Sequence, residues 1–274
     1  MLLTVDIGNS SISFGIFSDL DRCRILRTFK TESDMRKTSD EYAVLLKNLF
    51  ELNGIERADI KDVAVASVVP KLTKTISEAI KKLVDCSGYV VVGPGVKTGF
   101  PIRIDDPSEL GADLVANAAA VINIRKSSSG KRGAVIVDMG TATTIFAINN
   151  AGEYIGGCIM PGVQISFDAL HTQTAQLPGV TLELPKKAIG RNSVESVRSG
   201  VVLGNALMID GFIESFAREM KCDVTNSVYA TGGVAELIVP ACSHKIIYEP
   251  HLTLKGLFYI YRNNSSENYA DNNG

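Results

Sequence analysis

The chain opens with Met1-Leu2-Leu3-Thr4-Val5-Asp6-Ile7-Gly8-Asn9-Ser10-Ser11-Ile12-Ser13-Phe14-Gly15, a stretch that predicts a β-hairpin. The apolar run Leu2–Ile7 predicts a buried strand with one carboxylate, Asp6. Gly8-Asn9 favours a tight turn, since both residue types tolerate positive φ. The alternation of polar and apolar residues from Ser11 onward predicts a half-buried return strand. Asp6 is therefore expected near the tip of the hairpin, beside small residues.

Small residues beside a carboxylate suit a nucleotide phosphate. Gly8 would let the backbone approach a phosphate closely, and the neighbouring N–H and hydroxyl groups can donate hydrogen bonds to it. An aspartate at the mouth of such a loop can hold the Mg²⁺ that travels with a nucleotide. On this stretch alone, an ordinary asparagine-containing hairpin is an equally good interpretation.

A second stretch repeats the plan, namely Ala134-Val135-Ile136-Val137-Asp138-Met139-Gly140-Thr141-Ala142-Thr143-Thr144-Ile145-Phe146-Ala147-Ile148. An apolar strand is again followed by Asp, one residue, Gly, hydroxyl residues and a second apolar strand. Internal repeats decide the fold when they are present. Two copies of one unusual hairpin predict two similar domains that face a shared cleft.

Paired Asp-X-Gly hairpins resemble those of the superfamily that contains acetate and sugar kinases, heat-shock chaperones and actin. Further stretches, in order from residue 1 to about 261, resemble one branch of it, the type III pantothenate kinases. Each is weak singly, and together they are specific. They are Asp6-Ile7-Gly8-Asn9-Ser10, Arg36-Lys37-Thr38-Ser39-Asp40-Glu41-Tyr42, Ser67-Val68-Val69-Pro70, Gly111-Ala112-Asp113, Asp138-Met139-Gly140-Thr141-Ala142-Thr143-Thr144, Gly156-Gly157-Cys158-Ile159-Met160-Pro161-Gly162, Ile189-Gly190-Arg191-Asn192-Ser193 and Thr231-Gly232-Gly233.

The resemblance implies an α/β fold of two similar actin-like (ribonuclease H-like) domains with ATP in a central cleft. We expect an N-terminal actin-like kinase domain over residues 1–125 and a C-terminal one over residues 126–262. The polar, asparagine-rich residues 263–274 predict a disordered tail. The family also implies a homodimer.

The function implied by the resemblance is ATP-dependent phosphorylation of pantothenate to 4'-phosphopantothenate, the first step of coenzyme A biosynthesis. Asp113 would be the proton acceptor, because a carboxylate near the acceptor hydroxyl can take its proton. The residues implied to bind ATP are Asp6, Ile7, Gly8, Asn9, Ser10, Ser11, Ile12, Ser13 and Thr141. Those implied to bind the substrate are Gly111, Ala112, Asp113, Leu114 and Ser193.

Two cations are implied as cofactors. Asp6 would hold Mg²⁺ with the nucleotide, and Asp138 would bind a monovalent cation, K⁺ or NH₄⁺. From the residues alone, Asp138 could equally bind Mg²⁺ or cap a turn, and Asp113 could be a solvated helix aspartate.

The chain departs from the family's pattern on the substrate side. Leu114 stands where the family has arginine after Gly-Ala-Asp, and Ile104 stands where it has tyrosine. Arg103 and Arg191 are the candidates to meet a substrate carboxylate instead. These departures favour two alternatives, a kinase for another small hydroxylated acceptor, or a catalytically weak nucleotide-binding paralogue that acts through a protein partner.

Composition excludes several other classes. A net charge of −2 and a pI near 6.0 leave no polycationic face for nucleic acid. Five widely spaced cysteines and three unclustered histidines argue against a zinc site and favour a reducing, cytoplasmic compartment. No apolar run approaches 18 residues, so we expect no segment that spans a membrane.

Overall fold

The computed structural model describes residues 1–20, 22–126, 133–173 and 180–270, with the backbone alone at 171 and 266–270. The chain forms two compact units. Unit 1 comprises Met1–Phe100, Asp106–Ile124 and Leu252–Gly274, and unit 2 comprises Pro101–Asp105 and Arg125–His251.

The first half of the chain forms one five-stranded sheet with helices. Its elements are β1 (Leu2–Ile7), β2 (Ser11–Phe17), β3 (Ile25–Glu32), α1 (Ser39–Leu52), β4 (Asp62–Ser67), α2 (Pro70–Leu83), β5 (Gly88–Val91) and α3 (Ala112–Lys126). The strand order is β3-β2-β1-β4-β5. Strand β2 is antiparallel to both β1 and β3, whereas β4 is parallel to both β1 and β5.

The second half repeats this arrangement. Its elements are β6 (Ala134–Met139), β7 (Ala142–Ile148), β8 (Tyr154–Pro161), α4 (Val163–Thr172), α5 (Ser193–Arg198), α6 (Gly204–Met220), β9 (Val228–Thr231), α7 (Ala235–Ile238), β10 (Ile246–Tyr248) and α8 (Leu252–Ala270). The strand order is β10-β9-β6-β7-β8. Read from β8 to β10, it is the order of the first sheet with β6 to β10 in the places of β1 to β5. The predicted α/β fold with two similar halves is confirmed.

Alternation along β1 and β2 sorts their side chains between two faces of the first sheet. Val5, Ile7 and Phe14 belong to a core that also contains Leu46 of α1 and Ile76 of α2. Residues of opposite parity, Asp6 and Ser13 among them, therefore lie on the other face. The polar residues of the hairpin are thus separated from this core by the sheet itself.

Helix α8 corrects the predicted domain boundaries. We expected residues 126–262 to form the second domain, but α8 is part of unit 1. Its Thr253 Oγ1 donates to Asn117 Oδ1 of α3 at 2.9 Å, and both side chains are buried. Its Tyr261 hydroxyl donates to Asp62 Oδ1 at 2.6 Å. The chain thus returns to the first unit after β10, which periodicity within α8 cannot reveal.

The predicted tail is also partly wrong. α8 continues through Ala270, so residues 263–270 are helical. Asn264 Nδ2 donates to the carbonyl of Lys97 at 3.0 Å, and its Oδ1 accepts from the Lys97 N–H at 3.1 Å. These contacts join α8 to the loop that contains Lys97. They explain why the start of the predicted tail is helical despite its polar composition. The remainder of the predicted tail, residues 271–274, lies outside the described residues.

One helical stretch bears on the expectation that no segment spans a membrane. Within the described residues, the 28-residue stretch Ser193–Met220 is long and apolar enough to do so by length and composition. The core helix of a globular protein meets the same test, so length and composition alone do not make this stretch a membrane span. Ile209 and Ile213 belong to the core of unit 2, and the buried Asp210 accepts hydrogen bonds from the backbone of Ser243 and His244. These contacts are those of a core helix.

Candidate active site

The first hairpin joins β1 to β2 through a short connection. Ile7 pairs with Ile12 and Asp6 with Ser13, and the Gly8 N–H donates to the Ser11 carbonyl at 3.0 Å. We expected positive φ at the turn, but neither Gly8 nor Asn9 has it. Close approach explains the glycine instead, since a Cβ at position 8 would lie only 3.2 Å from the Ser11 carbonyl oxygen.

The residues that were predicted to bind ATP differ in how far their side chains are exposed. The side chains of Ile7 and Ile12 are fully buried in the core, so only their main-chain groups could contact a nucleotide. Asn9 and Ser10 are exposed at the tip, while Asp6, Ser11 and Ser13 are half-buried. Asp6 and Ser13 are direct cross-strand partners and therefore share one face of the sheet. A carboxylate thus lies beside a hydroxyl group near the tip.

Ser33, which no sequence motif indicated, forms two hydrogen bonds to the connection of the hairpin. Its hydroxyl donates to the Gly8 carbonyl at 2.6 Å, and its N–H donates to the Ser10 carbonyl at 3.2 Å. Ser33 follows β3 directly, 25 residues after Gly8. Because these bonds satisfy carbonyl groups of the tip, they hold the tip in one conformation. No local pattern in the sequence signals such a contact.

The predicted proton acceptor lies on an element next to this hairpin. The N–H of Val68, just beyond β4, donates to the Ile7 carbonyl at 3.1 Å. A Cβ built on Gly111 would lie 3.7 Å from Cγ1 of Val68. α3 begins at Ala112, so Asp113 falls in its first turn. The structure therefore brings Gly111, Ala112 and Asp113 to the edge of the sheet where the first hairpin lies.

The environment of Asp113 suits a base. Burial raises the pKa of its carboxyl group, although the Leu114 N–H, which donates to Oδ1 at 2.8 Å, partly opposes this shift. A Cβ at Gly111 would lie 2.5 Å from that same Oδ1. Glycine at 111 therefore leaves the space that the carboxylate occupies. Titratable groups with perturbed pKa values concentrate at functional sites.

The two departures from the family's pattern fall in different units. Leu114 is half-buried, directly after Asp113 in α3 of unit 1. Ile104 belongs to the segment Pro101–Asp105 of unit 2. There Arg103 donates its N–H to the Tyr154 carbonyl at 2.7 Å, and its Nε lies 3.0 Å from Glu153 Oε1. Arg103, one of the two cations considered for a substrate carboxylate, therefore already has a carboxylate partner.

The second hairpin has similar geometry with a shorter connection. Met139 pairs with Thr143 and the Gly140 N–H donates to the Ala142 carbonyl at 3.0 Å. Asp138, the counterpart of Asp6, pairs with Thr144 on one side and Thr231 on the other. The half-buried Asp138 carboxylate thus lies in a cross-strand row with two hydroxyl residues.

Two glycines allow other segments to approach this hairpin. The Gly162 N–H donates to the Thr141 carbonyl at 3.2 Å, where a Cβ would clash with that oxygen. Gly232 has φ +97°, and a Cβ there would clash with the main chain of Met139. Thr141 itself is exposed. The Thr231-Gly232 turn therefore lies against the strand end that carries Asp138.

The donor sets fit the implied metal ions. Among the described residues there is no cluster of three or more His, Cys, Asp or Glu side chains that could hold a metal. Mg²⁺ is usually bound by one or two carboxylates together with substrate phosphates, which the single carboxylate of Asp6 beside the phosphate-type loop fits. Asp138 between two threonines offers only oxygen atoms, as hard cations require.

Ser193 belongs to unit 2, whereas the other predicted substrate residues belong to unit 1. It is the first residue of α5, whose N-cap Asn192 accepts from the Glu195 N–H at 2.9 Å. Ser193 also lines a groove of about 550 Å³ together with Ser166, Leu170, Ser196, Val197, Gly200, Val201 and Asn205. Arg191, the second cation considered, is exposed just before this helix.

Known proteins give an independent comparison. A family model described as type III pantothenate kinase matches residues 2–215. The type III pantothenate kinase of Thermobifida fusca (strain YX) is 40% identical over 266 residues, which is 97% of this chain and 100% of the relative. That of Geotalea uraniireducens (strain Rf4) is 40% identical over 264 residues, 96% of this chain and 99% of the relative.

A solved structure supports the fold alone. A conserved Campylobacter jejuni protein described as a putative Baf family transcriptional activator aligns with a TM-score of 0.59 at 20% identity, over 96% of this chain and 99% of that one. The family is shown by the sequence relatives, because their alignments with this chain cover almost all of each relative. The chain therefore belongs to the type III pantothenate kinase family.

Proposed function

We propose that this protein transfers the terminal phosphoryl group of ATP to the hydroxyl group of pantothenate, forming 4'-phosphopantothenate and ADP in the first step of coenzyme A biosynthesis. One observation carries the proposal, the half-buried carboxylate of Asp113 at the same sheet edge as the Asp6 hairpin. Phosphoryl transfer needs little more from a protein than positioning and electrostatic stabilisation of the phosphates, together with a base for the acceptor.

In this mechanism the hydroxyl oxygen of the acceptor forms a bond to the γ-phosphorus of ATP while the bond to the β–γ bridging oxygen breaks. Asp113 takes the proton of the hydroxyl group, and ADP leaves. The ATP-binding residues would be Asp6, Ile7, Gly8, Asn9, Ser10, Ser11, Ile12, Ser13 and Thr141, with Ile7 and Ile12 acting through main-chain groups only. Gly111, Ala112, Leu114 and Ser193 would line the acceptor.

Asp6 would hold the Mg²⁺ of the nucleotide and Asp138 a monovalent cation, K⁺ or NH₄⁺. When bound, these cations supply positive charge that offsets the charge of the phosphates. Thr144 and Thr231 beside Asp138, and Ser13 beside Asp6, would add hydroxyl groups to the two sites. We further propose a cytoplasmic homodimer. None of the five cysteines, all of which lie in the described part of the chain, is paired in a disulfide, which fits a reducing compartment.

Leu114 supports a second candidate, a kinase for another small hydroxylated acceptor. Without an arginine at this position, the neighbourhood of Asp113 offers less to a carboxylate, which pantothenate carries. An acceptor screen separates the two candidates. Pantothenate, related hydroxy acids and analogues that lack the carboxylate are supplied to the enzyme, and ATP consumption is measured. Preferred turnover of an acceptor other than pantothenate would contradict the first candidate.

The test of the mechanism is Asp113→Asn, which keeps the size of the side chain and removes the proton acceptor. We expect kcat to fall about 10²–10⁴-fold while ATP affinity is retained. Asp85→Asn, which changes an exposed carboxylate just beyond α2, is the matched control and should leave kcat unchanged. Undiminished turnover by folded Asp113→Asn protein would exclude Asp113 as the base.

A further inference from the structure

Lys30 continues the row of polar residues across the first sheet. Asp6 of β1 pairs with Ser13 of β2, and Ser13 pairs in turn with Lys30 of β3. Directly paired residues on neighbouring strands have side chains on the same face. A carboxylate, a hydroxyl group and an ammonium group therefore follow one another on three consecutive strands.

The packing of β3 shows which face Lys30 occupies. Phe29 stacks on Phe14 with ring centroids 5.0 Å apart, on the face that α1 and α2 cover. Lys30, the next residue, points to the opposite face and is exposed. Among the described residues no carboxylate forms an ion pair with it. Glu32, two residues further along the same face, lies about 6.6 Å away along the strand.

The spacing of the row suits one phosphate group. Neighbouring strands lie about 4.8 Å apart, so Lys30 is about 10 Å from Asp6 across the sheet. A phosphate above Ser13 would lie between a metal-holding carboxylate and an ammonium group on a flexible four-carbon stem. A lysine that reaches the terminal phosphates recurs in phosphoryl-transfer enzymes, where it balances the charge of the transition state.

We propose that Lys30 binds the terminal phosphates of ATP and stabilises the charge that develops there during transfer. This inference rests on the proposed kinase function and deepens it by naming the cation of the nucleotide site. The alternative is that Lys30 only protects the edge of the sheet. β3 is an edge strand of its sheet, and exposed lysines on edge strands prevent pairing with other chains. A lysine of that kind would leave nucleotide affinity and kcat unaffected.

The experiment compares Lys30→Gln with Lys30→Arg and with Arg27→Gln, which removes another exposed cation of β3. Binding of Mg·ATP and of AMP is measured by calorimetry without any acceptor. We expect Lys30→Gln to weaken Mg·ATP binding about 10- to 100-fold and leave AMP binding unchanged. Lys30→Arg should restore part of the loss, because it keeps the charge, and Arg27→Gln should match wild type.

Turnover supplies the second readout. If Lys30 acts in the transition state, kcat of Lys30→Gln falls as well as ATP affinity. Equal preference for ATP over AMP in Lys30→Gln and Arg27→Gln overturns the proposal, and circular dichroism confirms that each variant is folded. The two proposals fail differently. Wild-type protein that binds ATP but phosphorylates no acceptor contradicts the kinase function, whereas normal ATP affinity and kcat in Lys30→Gln contradict only the role of Lys30.

Discussion

Gly256→Ala should test the packing of α8 on α3, which holds the helix that carries Asp113. A Cβ at position 256 would lie 2.9 Å from Ala116 Cα and closer still to the Ala116 carbonyl group, all of it main chain. Ordinary contacts begin near 3.4 Å. Because the carbonyl oxygen is the nearest of these atoms, the two helices must separate by more than about 1 Å, since neither backbone can rotate away as a side chain would.

The cost can be worked out from its parts. Overpacking of this kind costs about 1–3 kcal/mol. Separation of the helices also weakens the buried Thr253–Asn117 hydrogen bond, worth about 0.5–1.5 kcal/mol. Alanine itself favours a helix over glycine by about 0.5–1 kcal/mol. We therefore expect a net loss of about 0.5–4 kcal/mol in the free energy of unfolding.

Gly211→Ala is the matched control, because Gly211 is an exposed residue of α6 and a Cβ there would have nothing within 4 Å. This change should stabilise the protein by about 0.5–1 kcal/mol. Urea denaturation compares the midpoints of both variants with wild type at unchanged slope. We also expect kcat to fall in Gly256→Ala, since Asp113 moves with α3. Equal stabilisation by the two alanines would refute the packing described for α8.

Two further predictions concern the acceptor side of the site. Because burial raises the pKa of Asp113 above its ordinary value of 3.8, kcat should fall as the pH drops through that raised pKa. The raised pKa means that the folded protein is more stable with Asp113 protonated, and this stabilisation is lost as the pH rises through the folded-state pKa. Asp113→Asn should therefore not lower the melting temperature at neutral pH. An acid limb at the pH of an ordinary aspartate would contradict this. Leu114→Arg should lower the KM for pantothenate about 10- to 100-fold by supplying a partner for the carboxylate, with little change in melting temperature because position 114 is half-buried. The control Leu52→Arg, at an exposed position of α1, should change neither quantity. A KM that Leu114→Arg leaves unaltered would show that this position does not govern the substrate.

Local sequence patterns predicted the two hairpins and the internal repeat that they form. The strand Leu2–Ile7 has the bounds that its apolar run predicted. The capping box at the start of α1 shows how local such a signal is, with Thr38 Oγ1 accepting from the Glu41 N–H at 3.3 Å and Glu41 Oε2 accepting from the Thr38 N–H at 2.8 Å. Both signals are short-range, because alternation and capping depend on residues a few positions apart.

Motifs singled out the candidate residues, but only their burial in the folded chain distinguishes what each side chain could contact. Sequence alone treats Ile7 and Ile12 like their neighbours in the hairpin, whereas the sheet turns their side chains into the core. Likewise, the sequence predicts positive φ as the reason for Gly8, and only the folded turn shows that the crowding carbonyl of Ser11 is the reason.

Tertiary structure alone decided the contacts that join distant parts of the chain. Ser33 reaches Gly8 across 25 residues, and Thr253 reaches Asn117 across 136. The return of α8 to the first unit, and the row from Asp6 through Ser13 to Lys30, depend on which strands and helices pair. A sequence records the periodicity of each element, but which elements meet is set by the burial of complementary surfaces far apart in the chain, and periodicity within one element does not contain that choice.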